Sequence, residues 1–470
     1  MKGSEFMADV FDQLRLKWKL YLTGGDEFDP NHPEIARRID KIVSPVSNSS
    51  NTGYWDTITL SDSRGLWPDL RSETNPNHIT KQFQRVRDMA VAYSTYSASL
   101  YENEELRDDI LAALRWLYNN RYNERTIPYG NWWEWQIGTP SALKDILVLM
   151  YDDMSAELRR NYIAAIDYFV PDPTRRTQNQ VEEKGANRVI KSLIVVASGF
   201  LSKDEDKIVR ARSALEQVMQ ITELGEGFYT DGSFIQHNKV PYTGSYGVEL
   251  MDNLSELLFL LNESPWDANY LWLESIKNWF FESFEPLIYR GAMMDMVRGR
   301  AISRRGSDDH TIGRTAMKSF LRLAYVLPPD IAADIRKILK FWYENEQIFS
   351  TPYMGLNIYN ISLLQRLLED ESIVTPDHGI IQNKIYPFMD RVLQKRIPYA
   401  FGLSMYSSRI INYETLNDEN LKGWYTGSGM TYLYTSDLNY YRDDFWPTVN
   451  PLRLPGTTTD GTSKSVHFSD

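Results

Sequence analysis

Apolar residues recur at helical spacing along the first three-quarters of the chain. Phe11, Leu14, Trp18, Tyr21 and Leu22 fall on one face of a 3.6-residue repeat. The same spacing holds for Leu106, Ile110, Leu114 and Leu117, for Leu143, Ile146, Leu147 and Met150, and for Ile190, Leu193, Ile194 and Ala197. Val248, Met251, Leu254 and Leu258 repeat it, as do Ile276, Phe280 and Phe284, and Ile331, Ile335, Ile338 and Leu339. Pro, Asn and Gly punctuate the gaps. Glu104 and Glu105 after Asn103 have the form of a helix start. The pattern predicts about ten or more helices, with linkers too long for a simple bundle.

The period changes near Thr375-Pro376. Ile397 to Tyr406 and Thr431 to Thr435 alternate aromatic and β-branched residues with others, which predicts strands. The boundary is placed at about residue 375, between a helical unit (8–375) and a β unit (376–470). Met1 to Phe6 precede a second methionine, Met7, and read as an expression-vector scar, so 1–7 are set aside. The Gly/Thr-rich tail from Gly456 to Lys464 is expected to be a loop. No run of 18 apolar residues is present, so no transmembrane helix is expected.

Composition narrows the chemistry. The chain has no cysteine, which excludes disulfides, thiol nucleophiles and cysteine-ligated metals. The formal charge is −12, which argues against nucleic acid as the main partner. Aromatic residues reach 13%, and without a basic balance a sugar is the flat, hydroxylated partner they suit better.

Four stretches are too polar, aromatic or Gly-rich for ordinary core: Tyr129 to Gly138, Gly185 to Arg188, Phe228 to Gly247 and Met296 to Arg305. Trp132, Trp133 and Trp135 crowd into four positions and cannot all face one core, so at least one is expected to line a cleft. A core cluster with one edge exposed is the alternative. His237 is one of six histidines, and Tyr246 lies nine residues on, between Gly244 and Gly247. Taken alone, a histidine is more often structural and a tyrosine more often core. Arg298, Arg300, Arg304 and Arg305 form a basic cluster that suits a carboxylate or sulfate; a salt-bridge network to the abundant acids fits equally well. A phosphate loop, a dinucleotide fingerprint, a His-Glu-x-x-His zinc motif and a Gly-x-Ser-x-Gly elbow are all absent from the sequence.

Together these stretches resemble the bacterial polysaccharide lyase family of hyaluronate, chondroitin AC and xanthan lyases. The matching motifs are Asn131-Trp-Trp133, Gly185-Ala-Asn-Arg188, Asp231-Gly-Ser-Phe-Ile-Gln-His237 through Tyr246, and Arg298-Gly-Arg-Ala-Ile-Ser-Arg304. Asn412 to Gly427, Phe445 to Pro451 and Gly456-Thr-Thr continue the match, which covers residues 8 to 460.

The resemblance implies a mostly α fold: an incomplete α/α toroid followed by the beginning of an antiparallel β-sandwich domain. It implies β-elimination at a uronic acid, with no cofactor and no metal. Asn187 matches the carboxylate-binding asparagine, His237 and Tyr246 the catalytic pair, and Arg300 and Arg304 the cleft arginines. Glu414 and Asn417 match a Glu-x-x-Asn pair, and Trp132 and Trp133 the aromatic patch; Asn131 and Trp135 are grouped with the substrate-binding residues. Arg298 is grouped with the substrate-binding residues. Whether His237 or Tyr246 takes the C5 proton stays open, with Tyr246 favoured. The partner is an anionic polysaccharide, with no nucleic acid and no membrane; a monomer is expected, secreted, with its signal peptide absent from this sequence.

Two departures qualify the match. Members continue for several hundred residues of β-domain, so this chain reads as truncated or unusually short, with sheet surface left uncovered. The polymer is also ambiguous: the Trp133-Glu-Trp-Gln-Ile-Gly138 run and Leu22-Thr-Gly-Gly25 are most similar to xanthan lyases, yet Gly306 stands where those carry an aromatic, and the third aromatic of the hyaluronate-type patch is missing near Val181. Hyaluronan or chondroitin is favoured over xanthan. A non-catalytic sugar-binding homologue is one alternative. An inverting hydrolase using Glu134, Asp231 or Glu414 is another.

Overall fold

Thirteen helices of ten residues or more lie between Val10 and Glu369 among the described residues, which in this computed structural model are 9–62, 64–442 and 444–462. The presumed vector scar (1–7) and the end of the polar tail fall outside them. The helices are α1 (Val10–Thr23), α2 (Pro33–Val43), α3 (Asn77–Ser94), α4 (Glu104–Asn120), α5 (Thr139–Leu149), α6 (Ala156–Phe169) and α7 (Gly185–Ser202). They continue with α8 (Glu205–Ala214), α9 (Val248–Leu261), α10 (Tyr270–Trp279), α11 (Asp309–Leu323), α12 (Pro329–Glu344) and α13 (Ile358–Glu369). Their starts follow local chemistry. The Asn103 side chain accepts the Leu106 N–H at 2.9 Å and so caps α4, with Glu104 and Glu105 in the first turn.

The α3, α5, α7, α9, α11 and α13 helices pack each on the next, and α1 lies among them, touching α3, α5, α7, α9 and α13. The other helices back this row: α2 packs on α3 and α13, α4 on α3, α6 and α8 on α7, α12 on α11 and α13, and α10 on α12. This is an incomplete α/α toroid. The inner position of α7 explains its sequence, since nearly every side chain from Arg188 to Leu201 is buried.

Short β elements carry the site. β1 (Gly227–Phe228), β2 (Phe234–Gln236) and β3 (Val240–Pro241) form a small antiparallel sheet, and β4 (Ile288–Tyr289) pairs with β5 (Ala292–Met293). The C-terminal sheet runs β6 (Gln382–Tyr386), β7 (Arg391–Lys395), β8 (Ala400–Ser404) and β9 (Met430–Tyr434), each antiparallel to its neighbour. β8 falls inside one stretch that alternation predicts, and β9 matches the other shifted by one residue. β6 and β7 were not anticipated, because β7 inverts the usual pattern. Arg391 and Lys395 point into the helical domain, where Arg391 Nε donates to the Met296 carbonyl at 2.8 Å and Lys395 Nζ to Glu285 Oε1 at 2.6 Å. The opposite face stays apolar and open: Ile385 is 62% and Leu433 51% exposed, with Val392, Phe401 and Leu403 half-buried between them.

Candidate active site

His237 sits at the tip of the β2–β3 hairpin. His237 and Asn238 both adopt left-handed backbone, with φ of 51° and 61°, as a tight hairpin turn requires. For a non-glycine residue this conformation costs energy; here it holds the imidazole against the cleft. Tyr246 lies in the next segment, a single wide helical turn (Thr243–Gly247) closed by the Gly247 N–H donating to the Tyr242 carbonyl at 2.9 Å. The His237 and Tyr246 rings meet at 4.7 Å between centroids. Asn187 belongs to the first turn of α7, so the positive end of an 18-residue helix lies beneath its carboxamide.

Arg300 binds these parts together. Its Nη1 donates to Glu414 Oε2 at 3.0 Å and to the Tyr242 hydroxyl at 3.0 Å, its Nη2 to the Tyr246 hydroxyl at 3.4 Å, and its Nε to Glu419 Oε2 at 2.7 Å. Gly299 makes this possible. Its φ is 53°, and a Cβ there would fall 2.2 Å from the Tyr242 ring. Arg304 Nε donates to the other oxygen of Glu419, at 2.6 Å.

Glu414 is fully buried and lies 2.5 Å from His237 Nδ1. Burial alone would raise its carboxyl; His237, Arg300 and Tyr242 outweigh that and hold it down at about 2. A carboxylate there places the imidazole proton on Nδ1 and leaves the Nε2 lone pair for the cleft. The 3.5 Å approach of Arg300 Nη1 to Nδ1 is then donor beside donor, a contact rather than a hydrogen bond. Tyr242 is the buried counterpart of Tyr246, 4.9 Å away ring to ring. Burial and the Glu414 charge push its hydroxyl far above the ordinary value, so it remains a phenol and donates to Glu414 Oε2.

A cleft of about 790 Å³ runs past these groups, lined among others by Asn131, Trp132, Trp133, Asn187, His237, Tyr246, Arg300, Arg304 and Asn417. Glu414 stands behind the cleft wall, and two further candidates lie away from the cleft. Trp135 is 1% exposed, and its indole N–H donates to the Tyr129 carbonyl at 2.8 Å, so it is core, stacked near Tyr122. Arg298 is likewise 1% exposed and pairs with Asp295 at 2.5 Å beneath the sheet. The arginine run is therefore split: Arg298 is structural, while Arg300 and Arg304 face the cleft already paired with acids.

Several cleft groups escaped the sequence reading. Tyr242 and Glu419 stood inside quoted motifs with nothing to mark which way they face. Glu249 lines the cleft one helical turn beyond Tyr246, open to its water yet walled by protein. Burial and Asp252 push its carboxyl up to about 6, against Lys318 and Arg304. Arg176 and Glu183 also line the cleft. Among the described residues no cluster of three or more His, Asp and Glu could hold a metal ion.

The toroid thus bears an extended cleft with a phenol, a braced imidazole, a carboxamide and paired guanidiniums along it. Residues 18–341 match the α-helical N-terminal domain of polysaccharide lyase family 8 and residues 381–469 its super-sandwich domain, so the chain belongs to that family. It is 41% identical over 455 residues to a xanthan lyase of Bacillus sp. (strain GL1), covering 96% of this chain and 47% of that protein. Identity to a hyaluronate lyase of Staphylococcus aureus is 34%, covering 96% and 58%. The chain thus spans about half the length of these curated relatives. Among solved structures, Paenibacillus xanthan lyase superposes with a TM-score of 0.90 at 38% identity, covering 98% of this chain and 43% of that one. Streptomyces coelicolor chondroitin AC lyase in complex with chondroitin sulphate gives 0.89 at 32%, covering 97% and 62%.

Proposed function

We propose that residues 8–375, with Glu414 and Asn417 supplied by the β unit, form the catalytic unit of a lyase that cleaves hyaluronan or chondroitin by β-elimination. The observation that carries this reading is the Tyr246 hydroxyl, held 3.4 Å from Arg300 in the cleft beside His237, while the neighbouring Tyr242 is locked as a phenol. Asn187 donates hydrogen bonds to the uronate carboxyl group and stabilises the charge that develops as the C5 proton leaves. Tyr246, its hydroxyl opposite the Arg300 guanidinium, takes that proton as general base. The C5–H electron pair becomes the C4=C5 double bond, the C4–O bond breaks, and Tyr246 returns a proton to the departing oxygen. His237, oriented by Glu414, hydrogen-bonds the sugar through Nε2.

The choice of polymer rests on Gly306. Open space adjoins its Cα and no ring stands there, which favours hyaluronan or chondroitin. Xanthan is the second reading, carried by the 41% identity to a xanthan lyase. We propose an extracellular location, where a polymer of this kind is met; among the described residues no helix is long and apolar enough to cross a membrane.

The test is a panel of hyaluronan, chondroitin, chondroitin sulfates and xanthan, followed by ultraviolet absorbance of the unsaturated product. Tyr246→Phe should bind polymer normally and lose at least about 100-fold in turnover. Wild-type turnover by that variant would overturn the mechanism. Saturated products would point to a hydrolase, and binding without product to a sugar-binding protein.

A further inference from the structure

Arg176 sits at the aromatic end of the cleft, on a hairpin loop held by its own backbone: its N–H donates to the Val181 carbonyl and its carbonyl accepts from Gln180, both at 2.8 Å. Its guanidinium carbon lies 3.8 Å from the centre of the Trp132 ring, a close cation–π stack. Nε donates to Glu183 Oε1 at 3.3 Å. Glu183 is 2% exposed, and its other oxygen lies 3.5 Å from Asn187 Nδ2. Lys191 Nζ stands 3.9 Å from the same acid, so two cations share one buried carboxylate.

The two terminal nitrogens of Arg176 make no hydrogen bond to any described residue, although the side chain lines the cleft. A fork braced at Nε, backed by an indole and open at both Nη atoms is the arrangement that grips a carboxylate or sulfate through two parallel hydrogen bonds. Asn187 is only one carboxylate away through Glu183. We propose that Arg176 is a specificity-determining residue that binds a second acidic group flanking the reacting uronate, either the sulfate of the adjoining hexosamine or the carboxylate of the next uronate along the chain, with Trp132 as its backing and Glu183 as its brace. The inference rests on the lyase reading and adds to it a receptor for a second anion. Because Arg176 already covers one face of Trp132, a sugar ring stacks on the other face or on Trp133, which is 36% exposed.

The test compares wild type, Arg176→Gln and Arg176→Lys on hyaluronan, unsulfated chondroitin and chondroitin 4-sulfate. KM and kcat are read from the unsaturated product, Kd from calorimetry with hexasaccharides of each polymer, and integrity from thermal unfolding. Arg176→Gln should raise KM and Kd about ten-fold, the loss expected for one charge-assisted contact, with kcat changed less than about two-fold. Arg176→Lys should recover part of that loss. A rise confined to chondroitin 4-sulfate identifies sulfate as the anion; an equal rise on all three polymers identifies the uronate carboxylate. Unchanged KM and Kd in Arg176→Gln overturn the proposal. So does a fall in kcat at constant KM, which would mark Arg176 as a brace for Asn187. If wild type yields no unsaturated product from any polymer, the lyase reading fails, and the Kd comparison still decides the role of Arg176.

Discussion

The two ends of the cleft solve one problem by different routes. At each end a buried carboxylate anchors a guanidinium beside the groups that face the sugar. At the aromatic end the acid is local: Glu183 lies seven residues from Arg176 and four from Asn187. At the catalytic end it comes from afar, Glu414 standing 177 residues from His237 and 114 from Arg300. The docked sheet delivers it. The Ile411 N–H donates to the Lys239 carbonyl at 3.0 Å, and the Asn420 N–H to Ser303 Oγ at 2.9 Å, fastening the 411–420 loop over the hairpin that bears His237. The aromatic end can therefore assemble within the helical domain, whereas the catalytic end exists only while the two domains are joined.

Replacing the distant acid should do the most damage. Glu414→Gln leaves Arg300 buried against a neutral partner and frees the His237 tautomer; turnover should fall at least about 100-fold, with about 3 kcal/mol of stability lost in chemical denaturation. A milder result would mean that Glu419 alone can hold Arg300. Gly299→Ala comes next, since a Cβ at positive φ must displace the Tyr242 ring. About 2 kcal/mol should be lost, together with several-fold in kcat, and a crystal structure of the variant would show Tyr242 shifted. Glu183→Gln, at the local end, should raise KM about ten-fold through Arg176 and cost about 1–2 kcal/mol, with Lys191 kept partly satisfied by Gln136 at 3.1 Å. Damage to kcat equal to that of Glu414→Gln would erase the distinction between the two ends.

The smallest effect is in pH. The Glu249 carboxyl is raised from 4.5 to about 6 in the folded chain. Its contribution to stability is then full below 4.5 and is lost as pH rises through about 6. Glu414, lowered to about 2, acts in the opposite sense: its contribution is present above 4.5 and is lost as pH falls toward 2. Thermal unfolding against pH should show Glu249→Gln flattening the decline between pH 4.5 and 6, with the acid-side loss unchanged.

Much of the fold was legible because it rests on period. Leu106, Ile110, Leu114 and Leu117 are all buried on α4, and Ile331, Ile335, Ile338 and Leu339 on α12. Ile276, Phe280 and Phe284 also stay helical, although past Trp279 the helix widens for one turn, which their spacing does not reveal. Strand β7 was hidden because its inward side chains are charged. For the site, motif order placed Asn187, His237, Tyr246, Arg300 and Arg304 on one cleft, along with Asn131, Trp132, Trp133 and Asn417. It erred on Trp135 and Arg298, whose residue types suit a cleft and a core equally well.

What the sequence determined by itself was the order of the helices, the change to strands and the family motifs, all set by contacts or spacings close along the chain. Only the tertiary structure decided which of three crowded tryptophans meets the sugar, which tyrosine stays a phenol, and which acid neutralises which arginine. Those outcomes depend on burial and on charges brought together across more than a hundred residues, and no local pattern encodes either.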